Sequence, residues 1–190
     1  MLRQWAPILG LMALVLPTAS FAESFEIPAQ LQILSSGHLS KIVSKPQIKG
    51  DTFPLPEPPL DPAHQGASMV WCSGYEECDL WHLDAPGWKA LGDPPGSAGY
   101  QFSGETNFDT RCKVTLKPKV IRASCKDASQ FVFGSLDSTG LIWQLLLNNG
   151  DRYCAQSGPQ TNAIVVKDEF DFWRAIRADA PMGCAIVDPN

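Results

Sequence analysis

Residues 112–125 read Cys-Lys-Val-Thr-Leu-Lys-Pro-Lys-Val-Ile-Arg-Ala-Ser-Cys. Side chains of a strand point alternately to its two faces, so the apolar positions before the proline share one face. After Pro118 the apolar positions shift by one, and a turn at Pro118 and Lys119 would return them to that face. This register makes three pairs: Leu116 with Ile121, Val114 with Ala123, and Cys112 with Cys125.

Opposed strand positions lie about 4.5–5.5 Å apart at Cα, a distance that a disulfide can span. The segment therefore predicts an antiparallel hairpin closed by a Cys112–Cys125 disulfide. The alternative is one long strand with a bulge at the proline, which would leave both cysteines to distant partners.

A second hairpin is indicated by residues 141–154. Residues 141–147 (Leu-Ile-Trp-Gln-Leu-Leu-Leu) are apolar on both faces, as in a central strand that is covered on both sides. The turn residues Asn148-Asn149-Gly150-Asp151 would return the chain through residues 152–154.

Further short apolar runs recur between Gly, Pro, Asn and Asp clusters, a spacing typical of a sandwich or barrel. The fold class predicted is all-β, an antiparallel β-sandwich or partly open barrel. The runs are 31–34, 41–44, 68–72, 79–83, 99–103, 130–133, 151–156 and 162–166.

Two segments depart from this strand pattern. Residues 53–62 contain five prolines, which excludes a helix or central strand and predicts an extended surface loop. In residues 170–178, Phe172, Trp173 and Ile176 would share one face of a short helix, and irregular structure is the equal alternative.

The N-terminus has the pattern of a secretory signal peptide. Arg3 precedes an apolar run, Ile8 to Leu16, and small residues stand before a cleavage site after Ala22. The run is about half the roughly 20 residues that a membrane span needs, and no later segment is long enough. We therefore expect residues 1–22 to be removed, leaving residues 23–190 as one secreted or periplasmic β domain without a membrane span.

Six cysteines remain in this exported chain, an even number that predicts three disulfides. With Cys112 and Cys125 paired, we expect Cys154 to pair with Cys184 and Cys72 with Cys78. Without Arg3, the chain has 14 basic and 20 acidic residues, a net charge of −6. The basic residues are scattered, which argues against nucleic acid as a partner.

The sequence contains no catalytic motif and no cofactor signature. No G-x-S-x-G elbow is present, and all cysteines have expected disulfide partners. Cys72, Cys78 and His82 could ligate zinc, but the disulfide is favoured after export. Asp168, Glu169 and Asp171 could supply calcium ligands, but they lack the pattern of a calcium loop and favour a solvated acidic turn.

Aromatic side chains offer a hint of a ligand. A cluster within eighteen residues could stack on sugar rings or anchor a protein, unless its rings fill the core. Its members are Trp71, Tyr75, Trp81, His82 and Trp88. Exposure of the tryptophans would favour sugar binding, and burial would remove its basis.

Several segments between residues 86 and 184 resemble an uncharacterised β-rich domain, often in tandem, of exported proteins of environmental bacteria. The matching segments are 87–92, 95–102, 112–126, 150–155 and 179–184. The resemblance implies a β fold and export, and it implies no activity. Two segments depart from it: residues 156–159 replace a glycine-rich stretch, and residues 70–81 lie outside the pattern.

The sequence therefore predicts a non-enzymatic β-module with a structural or interaction role. The alternative is a carbohydrate-binding module that uses the aromatic cluster. A glycan or an extracellular protein is the expected type of partner.

Overall fold

The computed structural model describes residues 22–35, 39–73, 77–107, 109–126, 140–169 and 172–184. Within these ranges the chain forms two β-sheets. The strands of the first are β1 (Ser24–Glu26), β4 (Ala67–Ser73), β5 (Glu77–Leu83), β10 (Leu141–Leu147) and β11 (Arg152–Ser157). Those of the second are β2 (Ala29–Ser35), β3 (Leu39–Ser44), β6 (Trp88–Leu91), β7 (Gly99–Glu105), β8 (Arg111–Lys117), β9 (Val120–Lys126), β12 (Ile164–Glu169) and β13 (Phe172–Ala178).

The five-stranded sheet has the order β1-β11-β10-β4-β5, and the eight-stranded sheet has the order β12-β13-β2-β3-β9-β8-β7-β6. Neighbouring strands are antiparallel, except that β1 pairs with β11 in parallel. One apolar core contains side chains of both sheets, among them Trp71 and Trp143 from the first and Tyr100 and Leu116 from the second. The sandwich is therefore confirmed, and the sheets do not close into a barrel.

The hairpin of β8 and β9 has the predicted register, residue for residue. Leu116 lies opposite Ile121, and Cys112 lies opposite Cys125 with 4.1 Å between their Cα atoms. The six paired apolar residues at positions 112, 114, 116, 121, 123 and 125 are buried, and the alternating residues are exposed or half-buried. The alternative of one long bulged strand is thereby excluded.

The strand β10 is also as predicted. It pairs with β11 on one side and with β4 on the other, and six of its seven residues are buried. The apolar run 31–34 lies in β2 and the run 41–44 lies in β3, and the two strands form a hairpin. The predicted strand at 130–133 lies outside the described residues.

Both alternatives for residues 170–178, a short helix and irregular structure, are wrong. Residues Phe172–Ala178 form β13, which pairs with β2 and β12. Trp173 and Ala175 are buried and alternate with the exposed Arg174, a period of two rather than of 3.6. The helix interpretation grouped residues that point to opposite faces.

The Pro-rich segment 53–62 runs over the surface without helix or strand up to Asp61. Phe53 is buried, and its backbone N–H donates to the Pro118 carbonyl at 2.8 Å. The prediction of a loop is wrong only at Pro62, which is the first residue of the one-turn helix α1 (Pro62–Gln65). A proline is tolerated at the first position of a helix. Two one-turn 3₁₀ helices occur at Ala85–Gly87 and Pro159–Thr161.

Three disulfides join all six cysteines in the predicted connectivity. They are Cys72–Cys78, Cys112–Cys125 and Cys154–Cys184. This framework fits a chain that matures in an oxidising compartment. Residues 1–21 of the predicted signal peptide lie outside the described residues. Within the described ranges, none of the helices has the length and apolar character needed to cross a bilayer.

Candidate functional site

The three tryptophans proposed to bind sugar lie inside the protein. Trp71, Trp81 and Trp88 are 0%, 2% and 7% exposed. Trp88 packs on Phe102, with ring centroids 5.5 Å apart, and its Nε1 donates to the Leu83 carbonyl at 3.0 Å. Burial therefore removes the stacking faces on which the carbohydrate alternative depended.

The other two members of the aromatic cluster do not restore that alternative. Tyr75 lies outside the described residues. His82 is exposed, and its Nδ1 lies 3.3 Å from the Ser68 Oγ across the β4–β5 pair. A serine and a histidine at directly opposed strand positions meet as ordinary cross-strand neighbours.

A second histidine contacts a buried carboxylate. Asp61 is 1% exposed and caps α1, accepting hydrogen bonds from the backbone N–H groups of Ala63 and His64. Its other carboxylate oxygen lies 2.8 Å from the His64 Nδ1. Asp61 thus acts as the N-cap of α1, and its contact with His64 joins the end of the Pro-rich segment to the helix.

The two metal arrangements considered from the sequence have different outcomes. Cys72 and Cys78 form a disulfide, so their sulfurs are not thiolate ligands. The calcium alternative, which the sequence disfavoured against a solvated acidic turn, involves Asp171 and the side chain of Asp168, which lie outside the described residues. In the described part of the chain, no group of three His, Cys, Asp or Glu side chains could hold a metal ion.

A different feature is prominent on the eight-stranded sheet. Its strands contain ten of the chain's 15 Lys and Arg residues, and nine of these share the face opposite to the core. We call this surface the cationic face. Its residues are Lys41, Lys89, Arg111, Lys113, Lys117, Arg122, Lys126, Lys167 and Arg174.

Strand registers place these cations in rows across the sheet. Lys113 lies between Ser124 and Ser103, and Ser124 also lies opposite Lys41. Strands are about 4.8 Å apart, so the seven spacings between eight strands extend the face to about 34 Å. The arrangement is a broad cationic surface that carries hydroxyl groups.

One row places two cations directly opposite each other. Arg111 of β8 faces Lys126 of β9, an arrangement that destabilises a sheet. On its other side Arg111 faces Glu105, and the Arg111 Nε donates to the Glu105 Oε1 at 3.3 Å. Both partners of this ion pair are more than half exposed, so the pair contributes little stability.

The same residues line a depression of about 650 Å³ at the ends of β7, β8 and β9. The described lining contains three cations, one carboxylate and two hydroxyl groups, besides Gly104 and Cys112. The charged and hydroxyl residues are Ser103, Glu105, Arg111, Lys113, Ser124 and Lys126. This composition suits an anionic group.

The five-stranded sheet has the opposite charge balance. Its described strands contain one basic residue, Arg152, and the acidic residues Glu26, Glu77 and Asp79. The cationic face could not be recognised in the sequence because its residues are scattered along the chain. Alternation within β8 and β9 was the available signal, since their lysines and arginines occupy the positions between buried residues.

No family model matches the chain, and no curated protein or solved structure is significantly similar to it. The resemblance to a tandem exported domain therefore stays a prediction.

Proposed function

We propose that the mature chain is a non-enzymatic interaction module, secreted or periplasmic, that holds an anionic partner against the cationic face. The observation that carries this proposal is the segregation of charge. A chain with excess acidic residues has nine cations on one sheet face, and such a surface attracts and orients anions.

Support for the compartment comes from two independent features. The N-terminal pattern is that of a secretory signal peptide. All six cysteines are paired, which requires oxidising conditions. Bacterial origin is suggested by the resemblance alone.

Support for a binding role comes from the shape and rigidity of the surface. The cationic face is the outer side of a paired sheet, and the disulfide Cys112–Cys125 joins two of its central strands. A rigid, preorganised surface loses little conformational entropy when a partner binds. This suits an adhesive or structural contact.

The test is binding of the exported, disulfide-bonded chain to immobilised anionic and neutral polymers, measured at increasing salt. We expect retention on dextran sulfate and not on neutral dextran, with an affinity that falls as salt screens the charges. Replacing Lys41 and Arg122 with Gln should weaken binding by about threefold to tenfold, because each loses a charged contact.

The matched control replaces Lys45 and Lys49, which are exposed and follow β3, with Gln. Both double variants lose two positive charges, so they differ in the location of the loss and not in net charge. Equal weakening by the two variants, or equal retention on neutral dextran, would contradict the proposal.

A further inference from the structure

We infer that the depression at the ends of β7, β8 and β9 is the subsite that receives a single sulfate or carboxylate group of an acidic polysaccharide. This inference rests on the proposed function, and it names the ligand class and the position of the contact. The surrounding cationic face would hold the rest of the polymer.

Two cations at the depression repel each other in the absence of an anion. Arg111 and Lys126 are directly opposed cations, and an anion between them would turn a repulsive pair into two attractive contacts. The contact with Glu105 uses one of the five N–H donors of the Arg111 guanidinium. Arg111 can therefore hold Glu105 and still bind an incoming anion.

The other groups that line the depression are hydrogen-bond donors suited to an anion. Ser103 and Ser124 lie on either side of Lys113 in the sheet, so hydroxyl donors flank the ammonium group. Hydroxyl and ammonium donors together suit the several oxygens of a sulfate or a carboxylate. The depression is open to the cationic face, which allows a polymer to continue across the neighbouring strands.

The lining and the sheet also favour a polysaccharide over a nucleic acid. Single-stranded nucleic acids are held by aromatic stacking, and the described lining residues include no aromatic ring. The major groove of DNA admits a helix or a two-stranded ribbon, whereas the cationic face extends across all eight strands of one sheet. The chemistry of an exported acidic glycan fits this surface better.

The experiment compares two double variants on the same face. Lys113→Gln with Lys126→Gln removes two cations from the depression, and Lys89→Gln with Lys117→Gln removes two from outside it. We expect the first to weaken binding to dextran sulfate or polygalacturonate at least about tenfold and the second about twofold. Comparing the two polymers assigns the subsite to sulfate or to carboxylate.

A third variant predicts a gain. Glu105→Gln removes the one carboxylate in the described lining, which repels an incoming anion, so binding should tighten by about twofold to fivefold. A general loss of folding cannot produce this result. Thermal unfolding and disulfide mapping of each variant verify that the β8–β9 hairpin, with its Cys112–Cys125 disulfide, is intact.

Three results would overturn the inference. Equal weakening by the two double variants would place the contact diffusely over the cationic face, with the proposed function intact. Tighter binding of double-stranded DNA than of either polysaccharide at the same salt would replace the ligand class. Failure of the unmodified chain to bind any anionic polymer would refute the proposed function itself.

Discussion

In the five-stranded sheet the central strand β10 is buried on both faces, whereas in the eight-stranded sheet β8 buries every second residue. The far face of the five-stranded sheet holds its own apolar cluster of Val70, Cys72 and Ile142. The corresponding face of the eight-stranded sheet holds lysines, arginines and hydroxyl groups. The five-stranded sheet is thus covered on both faces, whereas in the described part of the chain one face of the eight-stranded sheet exposes charged and hydroxyl side chains.

The strongest test of this difference places the same charge on the outer side of each sheet. Ile142→Glu buries a carboxylate at a position that is 2% exposed, and it should destabilise the protein by about 4 kcal/mol or more. Val43→Glu puts a carboxylate opposite Arg122, where it should change stability by less than about 1 kcal/mol.

Urea unfolding without reductant measures both effects. If Val43→Glu were as harmful as Ile142→Glu, the eight-stranded sheet would also be covered on its second side, and the cationic face would not be available to a partner.

The second test concerns the two disulfides on the far face of the five-stranded sheet. Cys154 shares that face with Ile142, and its bond to Cys184 closes a loop of sequence separation 30. On the chain-entropy estimate, replacing both cysteines with Ala should cost about 3–4 kcal/mol. The same replacement of Cys72 and Cys78, which are separated by six positions, should cost about 2–2.5 kcal/mol.

Denaturant midpoints of the two double variants, each with its remaining disulfides mapped, give the comparison. The reverse order would mean that native packing around Cys72, rather than the length of the loop, determines what each bond contributes.

The same contrast explains which features could be predicted from the sequence. The β8–β9 hairpin was predictable because one register satisfied both the apolar alternation and the Cys112–Cys125 geometry. The two-sided burial of β10 followed from an uninterrupted apolar run. In both cases local pattern and tertiary packing agree.

The remaining features depend on long-range pairing. The cationic face requires β3 beside β9, and these strands are about eighty residues apart in the chain. Trp71 and Trp81 looked like binding residues because aromatic clustering does not reveal which face of a strand is covered. The alternation of buried and exposed residues in β13 was hard to see in the sequence. Ile176 is half-buried on the outer side, and its spacing from Phe172 and Trp173 is also that of a helical face.

The smallest expected effect concerns the contact between the two regions. Tyr100 belongs to the eight-stranded sheet and Tyr153 to the five-stranded sheet, and both donate to the Pro-rich segment. The Tyr100 hydroxyl donates to the Pro56 carbonyl at 2.9 Å, and the Tyr153 hydroxyl donates to the Pro54 carbonyl at 2.8 Å. The segment thus joins the two sheets through one buried and one partly buried hydrogen bond.

Removing either hydroxyl group, by Tyr100→Phe or Tyr153→Phe, should cost about 1 kcal/mol at neutral pH. Burial, followed by the charges of Asp61 and Glu57, raises the pKa of Tyr100 to about 12. Burial also raises the pKa of Tyr153. An unfolded tyrosine loses its proton near pH 10, so from about pH 10 to 12 the folded chain binds more protons and its stability falls as pH rises.

Urea unfolding at pH 8 and pH 11 should therefore show a smaller alkaline loss of stability for Tyr100→Phe than for the unmodified protein. The absorbance of tyrosinate, followed against pH, reports ionisation directly, and Tyr153→Phe provides the matched variant from the other sheet. Since each hydroxyl holds a different carbonyl, the costs at neutral pH should add in the double variant. Strong non-additivity would instead mean that the segment detaches as one unit once either sheet releases it.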